Sequence, residues 1–97
     1  MTTSHPSPLD ASAIEHLSLY YYDGCFFCLR VLRALDELGV TVELRNVLLN
    51  EQHRRDLVAA TGRRRVPVLR IRQQDGQERW MPESHDIVAF LRHHFTL

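Results

Sequence analysis

The first half of the chain alternates between two hydrophobic periods, and this order restricts the fold more than any other feature of the sequence. Apolar and polar residues alternate over residues 16–22, as in a half-buried strand. A helical spacing follows over residues 28–38 and ends at Gly39, and a second alternating segment occupies residues 40–45. This strand–helix–strand unit predicts two parallel strands joined by a right-handed crossover.

The second half of the chain predicts another helix, a hairpin and a closing helix. Asn50 is placed to cap a helix that runs to about Thr61. Residues 66–71 and 78–81 have the composition of two strands joined by a turn, and residues 84–95 return to a helical spacing. The full order, β-α-β-α-β-β-α, predicts an α/β protein with a mixed four-stranded sheet flanked by helices.

The length of 97 residues is enough for one hydrophobic core, so we expect a single domain over residues 14–97 and no second, helical domain. Residues 1–13 are polar and interrupted by Pro6 and Pro8. We interpret them as a flexible N-terminal tail without the features of a secretory signal. No apolar run approaches the roughly 18 residues of a membrane span, so we expect no membrane partner and a cytoplasmic location.

Charge is balanced over the whole chain but not along it. Twelve arginines and twelve acidic residues give a net charge of zero, and the chain has no lysine. A chain without a general positive field is not typical of nucleic-acid-binding proteins, so we expect no nucleic-acid partner. Residues 50–97 nevertheless hold nine of the twelve arginines, which predicts a local anion site in the second half.

Two cysteines lie where the first strand meets the first helix, in the sequence Cys25-Phe26-Phe27-Cys28. A C-x-x-C pair beside a β-α-β pattern is typical of thioredoxin-like redox proteins, because residues three apart in the first helical turn are close enough to form a disulfide. Cys25 would occupy the amino end of the helix, where free N–H groups and the helix dipole favour a thiolate. We therefore predict that Cys25 is the nucleophile and Cys28 the resolving thiol.

Metal binding and two unreactive thiols remain as alternatives for the cysteine pair. Zinc sites use the same spacing, but they need about four ligands, and the sequence has no second C-x-x-C pair and no H-x₃₋₅-H motif. The six histidines are scattered apart from the adjacent His93 and His94, and we assign them no role. Redox chemistry without a bound metal is the prediction that we favour.

Three separated motifs within residues 17–95 resemble those of the glutaredoxin family. They are the C-F-F-C sequence, Arg65-Val66-Pro67 and Pro82-Glu83-Ser84. The resemblance implies a thioredoxin-like fold, a cis proline at Pro67 beside the thiol, and a backbone contact from Val66 to the cysteinyl part of glutathione. The Glu83-Ser84 motif is also similar to one in the amino-terminal domains of glutathione transferases, where it binds the γ-glutamyl end of glutathione.

The chain departs from the usual glutaredoxin pattern around its first cysteine and its proline. Phe26 and Phe27 stand where the family most often has proline and tyrosine, and this change is expected to alter the reduction potential and to favour cluster binding. Tyr22 replaces a lysine that is usual in the family, which removes one source of thiolate stabilisation. Arg65 stands in place of a threonine.

Glutathione carries two carboxylates and an amine, and its chemistry fits the same part of the chain. The arginines at positions 63–65 are suitable donors for the glycyl carboxylate. The free N–H groups at the start of the last helix, with the Ser84 hydroxyl, suit the γ-glutamyl carboxylate. Glu83 or Asp86 can accept from the γ-glutamyl amine.

These ligand assignments have structural alternatives. The arginine run is also typical of a solvated loop, and Ser84 is expected at least to cap the last helix. Phe27 is among the predicted glutathione contacts, with core or rim packing as its alternative, whereas Phe26 is expected to be an exposed ring. Trp80 is expected to pack and not to take part in chemistry.

We therefore predict a monomeric thiol-disulfide oxidoreductase that uses glutathione as its co-substrate and binds no cofactor covalently. Its partners would be glutathione and disulfide-containing or glutathionylated proteins. Two alternatives remain. One is a homodimeric carrier of a [2Fe–2S] cluster held by Cys25 and glutathione, and the other is a reductase that serves one dedicated protein without using glutathione.

Overall fold

A computed structural model describes residues 13–96, and the predicted order of strands and helices is confirmed. The elements are β1 (Ile14–Tyr21), α1 (Phe26–Leu38), β2 (Glu43–Asn46), α2 (Glu51–Thr61), β3 (Val68–Gln73), β4 (Glu78–Met81) and α3 (Ser84–Phe95). The predicted N-terminal tail lies outside the described residues except for Ala13, whose carbonyl accepts a hydrogen bond from Gln74 N at 2.8 Å. None of the three helices between residues 13 and 96 is long and apolar enough to cross a membrane.

The four strands form one mixed sheet in the order β2-β1-β3-β4. β1 pairs in parallel with β2, with Leu19 opposite Leu44, and antiparallel with β3, with Leu19 opposite Leu69. β4 pairs antiparallel with β3 and completes the predicted hairpin. Because β1 lies between β2 and β3, the junction between β1 and α1 is near the middle of the sheet and not at an outer strand.

The two faces of the sheet are covered by different helices. α1 and α3 pack on one face through buried side chains of Leu17, Leu19, Val31, Leu35, Leu69, Ile71, Ile87 and Leu91. A second cluster joins α2 and the start of α1 to the other face, and it consists of Tyr20, Cys28, Val47, Leu57, Val66 and Val68. Full burial of such an aliphatic side chain stabilises the folded state by roughly 1.5–3 kcal/mol, so the clusters hold both helical layers on the sheet.

Two strands begin later than the sequence predicts. β2 begins at Glu43 and not at Val40, because Gly39 adopts the left-handed conformation and Val40 N still bonds to Leu35 O at 3.1 Å. These contacts belong to the C-terminal motif of α1, so the chain is not yet free to pair. β3 begins at Val68 and not at position 66, because Pro67 has no N–H to give to the sheet ladder.

The helix ends agree more closely with the sequence. Asn50 caps α2 by accepting a hydrogen bond from His53 N at 3.1 Å, and Gly62 ends the helix with a φ of 75°. α3 occupies residues 84–95 as predicted. Leu29 belongs to the apolar residues that fall at helical spacing over residues 28–38, but its side chain is 42% exposed.

Candidate functional site

The first cysteine of the pair lies at the junction between β1 and α1. Cys25 is the N-cap residue of α1, and its carbonyl accepts the first helical hydrogen bond from Leu29 N at 2.9 Å. Its side chain makes no capping hydrogen bond and is half-buried. The first N–H groups of a helix have no intrahelical acceptor, so this thiol sits at the positive end of α1.

The second cysteine is one helical turn further along and fully buried. Burial raises the pKa of the Cys28 thiol to about 12, against the effect of a hydrogen bond with the Tyr22 backbone. The nearby Cys25 and Asp23 add smaller contributions in the same direction as burial. Cys28 therefore stays protonated at neutral pH, and Cys25 is the more exposed thiol of the pair. The unequal burial agrees with the sequence analysis, while the catalytic roles stay a prediction.

All six residues predicted to contact glutathione line one cleft of about 360 Å³. They are Phe27, Arg65, Val66, Pro67, Glu83 and Ser84, and the cleft is completed by Pro82 and His85. The volume falls within the range of about 300–1,000 Å³ that is usual for small-molecule sites. The Val66–Pro67 peptide bond is cis, as the resemblance implied. Cys25 is not one of the lining residues, but it packs against the buried cluster that contains the lining residue Val66.

The amino end of α3 forms one wall of the cleft, but its cap differs from the prediction. The N-cap is Glu83, whose carbonyl accepts from Ile87 N at 2.8 Å and whose side chain makes no capping bond. Ser84 is the first residue of the helix and is only 6% exposed. The predicted capping role of Ser84 is therefore wrong, because Ser84 follows the N-cap residue by one position. Its hydroxyl accepts a hydrogen bond from a side chain of another helix instead of capping α3.

That partner is Arg30 of α1, a residue that the sequence analysis did not select. Arg30 donates from Nη1 to Ser84 Oγ at 3.3 Å and to His85 Nε2 at 2.8 Å. Its guanidinium also lies 5.9 Å and 5.7 Å from the ring centres of Phe26 and Phe27. Arg30 thus ties the cysteine-bearing helix to the start of α3. The sequence offers one signal for the contact of Arg30 with the two phenylalanines. Arg30 follows Phe26 by four residues and Phe27 by three, and residues at these spacings share a helix face.

Only some of the arginines at 63–65 and of the acidic residues predicted to bind glutathione line the cleft. Of the three arginines at 63–65, only Arg65 lines the cleft, although all three are exposed. Arg63 contributes its backbone N–H to Thr61 Oγ1 at 3.2 Å. Glu83 is a lining residue, whereas Asp86 is exposed and is not. Residues 13–96 contain no group of three or more His, Cys, Asp or Glu side chains arranged to hold a metal ion.

The aromatic residues also separate into two groups. Phe26 and Phe27 are 69% and 53% exposed and meet edge-to-face with ring centres 5.6 Å apart, so Phe27 is not a core residue, while packing at the rim of the cleft stays open for it. Trp80 packs as predicted, with its ring centre 5.1 Å from that of the fully buried Tyr20. The exposed pair places an apolar surface next to Cys25 in the chain.

Comparison with known families agrees with this geometry. Residues 19–97 match the family described as the glutathione S-transferase, N-terminal domain. The chain belongs to that family. Its mixed sheet and element order are those of the thioredoxin-like fold, as predicted, and the resemblance to glutaredoxins is confirmed by a relative from Escherichia coli.

That relative, Glutaredoxin 2 of Escherichia coli strain K12, is 36% identical over 75 residues, which cover 77% of this chain and 32% of the relative. The chain therefore spans about a third of the length of the curated relatives it matches. A solved structure of Leishmania TDR1, a trimeric glutathione transferase, aligns with a TM-score of 0.68 and 30% identity over 82% of this chain and 18% of that protein. A maleylacetoacetate isomerase from Anaeromyxobacter dehalogenans, solved with glutathione in its active site, aligns with a TM-score of 0.61 and 30% identity over 82% of this chain and 38% of that protein.

Proposed function

We propose that the protein is a glutathione-dependent thiol-disulfide oxidoreductase of the glutaredoxin type. The observation that carries the proposal is a half-buried thiol, Cys25, which packs against the cluster that includes the cleft residue Val66 and has a buried, protonated thiol, Cys28, one helical turn behind it. A transferase that only activates the thiol of glutathione does not need such a pair. The glutathione named in the active site of the related isomerase supports glutathione as the co-substrate.

Glutathione would lie along the cleft with its γ-glutamyl end at α3. The free N–H groups of the first turn and the Ser84 hydroxyl would bind the γ-glutamyl carboxylate, and Glu83 would accept from the amine. The Val66 backbone would pair with the cysteinyl unit, which brings the glutathione sulfur towards Cys25. Arg65 would donate to the glycyl carboxylate at the opposite end.

The chemistry is a thiol–disulfide exchange in two steps. The Cys25 thiolate attacks the glutathione sulfur of a glutathionylated protein, the old S–S bond breaks, and the protein leaves as a thiolate that takes a proton from solvent. A second glutathione thiolate then attacks the Cys25–glutathione disulfide and releases oxidised glutathione with a free Cys25. Each turnover thus oxidises one free glutathione thiol and reduces the protein sulfur of the mixed disulfide to a thiol, and the glutathione carried by the substrate leaves as the other half of the oxidised glutathione.

The buried second thiol favours the route through glutathione over an internal disulfide. Cys28 would have to lose its proton before attacking the Cys25 sulfur, and its pKa of about 12 makes the thiolate rare at neutral pH. Substrates with a disulfide between two protein cysteines need this internal step, because the first attack leaves them covalently bound to Cys25. We therefore expect mixed disulfides with glutathione to react faster than protein disulfides.

The test is an assay of glutathione-dependent reduction of a mixed disulfide between glutathione and a cysteine-containing peptide. Wild type and Cys28→Ser should both be active, and Cys25→Ser should have no activity although it keeps a folded circular dichroism spectrum. A Cys25→Ser variant with wild-type turnover would overturn the proposal. Protein purified without oxygen that is coloured and carries two irons per dimer would instead support the cluster carrier.

A further inference from the structure

Arg30 lies behind the cleft, and the proposed function gives it no role. It is a half-buried residue of α1 and is not one of the residues that line the cleft. Its Nη1 atom nevertheless donates to two residues that do line it, Ser84 at 3.3 Å and His85 at 2.8 Å. This nitrogen carries two hydrogens, so a single atom of Arg30 can serve both acceptors. Arg30 can therefore influence a ligand in the cleft through these two side chains.

The direction of both hydrogen bonds follows from the chemistry of arginine. A guanidinium has five donors and no acceptor, so Ser84 Oγ and His85 Nε2 must both accept. A hydroxyl that accepts through its oxygen keeps its own hydrogen free to donate. An uncharged imidazole whose Nε2 accepts carries its hydrogen on Nδ1. Arg30 thus leaves the Ser84 hydroxyl and the Nδ1–H of His85 as donors for a further partner.

These two donors belong to the end of the cleft that is formed by the start of α3. Ser84 is the first residue of that helix and is buried, whereas the following residue, His85, is exposed. The first N–H groups of a helix have no intrahelical acceptor, so the backbone adds further donors at the same end. An ionised carboxylate only accepts hydrogen bonds, through two oxygens. The donors at the start of α3 therefore match a carboxylate.

The guanidinium that orients these donors is itself held by its own helix. It lies 5.9 Å and 5.7 Å from the ring centres of Phe26 and Phe27, within the distance at which a cation is attracted to an aromatic ring. α1 and α3 also share the buried cluster on one face of the sheet, which fixes the distance between the two helices. Donors that are held in place before a ligand arrives lose less conformational entropy when it binds. Arg30 is therefore suited to prepare the start of α3 for a ligand.

We propose that Arg30 is a positioning residue that makes the cleft selective for the γ-glutamyl unit of glutathione. It holds Ser84 and His85 so that the hydroxyl hydrogen and the Nδ1–H both donate to the γ-glutamyl carboxylate. His85 is thereby a further glutathione-binding residue. The inference rests on the proposed function, because it takes glutathione as the ligand of the cleft. It involves none of the reacting sulfur atoms, so it predicts a change in the selectivity of binding and not in the thiol chemistry.

Binding of S-methylglutathione, measured by NMR chemical-shift titration, tests the proposal. The sulfur of this probe is substituted, as in a mixed disulfide, and has no hydrogen to lose, so binding is measured without redox chemistry. S-methyl-cysteinylglycine lacks the γ-glutamyl unit and is the comparison ligand. In a buffer of high ionic strength, which screens attraction between distant charges, Arg30→Met should raise the Kd for S-methylglutathione by about 3–15-fold. The Kd for S-methyl-cysteinylglycine should stay unchanged, which a general distortion of the cleft would not produce.

Further variants show whether Arg30 acts through the two side chains. His85→Ala changes an exposed residue, should raise the Kd for S-methylglutathione by about 2–5-fold, and serves if Arg30→Met does not fold. In a chain that already carries Ser84→Ala and His85→Ala, Arg30→Met should cause no further loss, because neither side chain is left to position. Arg33→Met is the matched control, since it removes the same charge from an exposed position of α1 outside the cleft lining and should bind as the wild type does.

The outcomes separate this inference from the proposed function. A wild type that reduces mixed disulfides, with Arg30→Met and His85→Ala variants that bind S-methylglutathione as tightly as the wild type, would overturn the inference alone. A wild type that shows the expected binding selectivity but no reductase activity would reject the proposed function alone. An equal loss of affinity for both ligands in Arg30→Met would assign Arg30 a general structural role and would also overturn the inference, as would a wild type that does not bind S-methylglutathione.

Discussion

The cleft beside Cys25 and the arginine-bearing face of the sheet use the same residue types in opposite ways. On the sheet face, Arg45 and Arg70 both donate to the buried Tyr20 hydroxyl, at 2.6 Å and 3.2 Å, and each also binds a glutamate. At the cleft, Arg65 is exposed and forms no ion pair with the described residues. A guanidinium that is held by protein partners stabilises the fold, whereas one without partners is available to a ligand.

The two cysteines repeat this contrast within one turn of helix. Cys28 is enclosed by the protein, while Cys25 is half-buried and packs against the cluster that includes the cleft residue Val66. The comparison therefore predicts that substitutions of exposed residues at the cleft change activity with little effect on stability. Substitutions on the sheet face should do the reverse.

The largest expected effect is the difference in alkylation between the two thiols. At pH 7, Cys25 should react with iodoacetamide at least about a hundredfold faster than Cys28, because only a thiolate attacks and the pKa of Cys28 is about 12. Peptide mass spectrometry of the labelled protein measures both rates. In Cys25→Ser the fast phase should disappear, and equal rates for both cysteines in folded wild type would contradict the assignment.

Tyr20→Phe should give the largest loss of stability. The substitution removes the shared acceptor of two half-buried guanidinium donors and should lower the free energy of unfolding by about 1–3 kcal/mol, as measured by denaturant titration. Tyr21→Phe is the matched control, because the Tyr21 hydroxyl forms no hydrogen bond with another residue between 13 and 96. Glutathione-dependent turnover should be unchanged in both variants, and a selective loss of turnover in Tyr20→Phe would break the separation between the two regions.

Ser84→Ala should weaken glutathione binding and also lower the free energy of unfolding by about 0.5–1.5 kcal/mol, because the Ser84 hydroxyl accepts a hydrogen bond from Arg30 of α1. Loss of one hydrogen bond of about 0.5–1.5 kcal/mol corresponds to a rise of about 2–10-fold in the KM for glutathione. Salt should alter this ratio little, because the backbone N–H groups of α3 remain in the variant. A KM equal to that of the wild type would place the γ-glutamyl group away from α3.

Arg65→Gln should raise the KM for glutathione less, by about 1.5–5-fold, because an exposed ion pair contributes only about 0.2–1 kcal/mol. The effect should shrink at high salt, which screens exposed charges. Arg64→Gln is the matched control, since Arg64 has the same charge and exposure but lies outside the cleft lining. Equal effects from both substitutions would mean that the loop attracts glutathione by charge alone.

The sequence predicts features that depend on neighbours in the chain. The caps at Asn50 and Gly39, the helix-starting position of Cys25 and the closing helix all follow from residues within a few positions. The ligand residues of the cleft come from separated motifs, and the family resemblance was needed to join them. Local spacing alone does not indicate that Val66 and Ser84 line one cavity.

The contacts that the sequence does not predict all join distant segments. Arg30 meets Ser84 across 54 positions, and this contact depends on how α1 and α3 pack on the sheet. The bonds from Arg45 and Arg70 to Tyr20 depend on the registers of two strand pairs, which the alternating pattern leaves open. Alternation shows that a side chain lies on one face, but not which side chain of the next strand lies opposite.

The smallest expected effect is the response of the sheet face to acid. The hydrogen bond from Arg45, with a second from His16, lowers the pKa of Glu43 from 4.5 to about 2. Because the folded-state pKa is the lower one, the ionised pair contributes its full stability above about pH 4.5, and this contribution is lost as the pH falls towards 2.

The Glu43 side chain is 40% exposed, so Glu43→Gln should lower the unfolding midpoint at pH 7 by only about 1–4 °C. The midpoints of wild type and variant should converge on acidification, whereas Glu51→Gln, which removes a charge from an exposed pair on α2, should show a smaller difference at pH 7. A gap between wild type and Glu43→Gln that stays constant from pH 7 to pH 2 would show that the glutamate acts through packing and not through its charge.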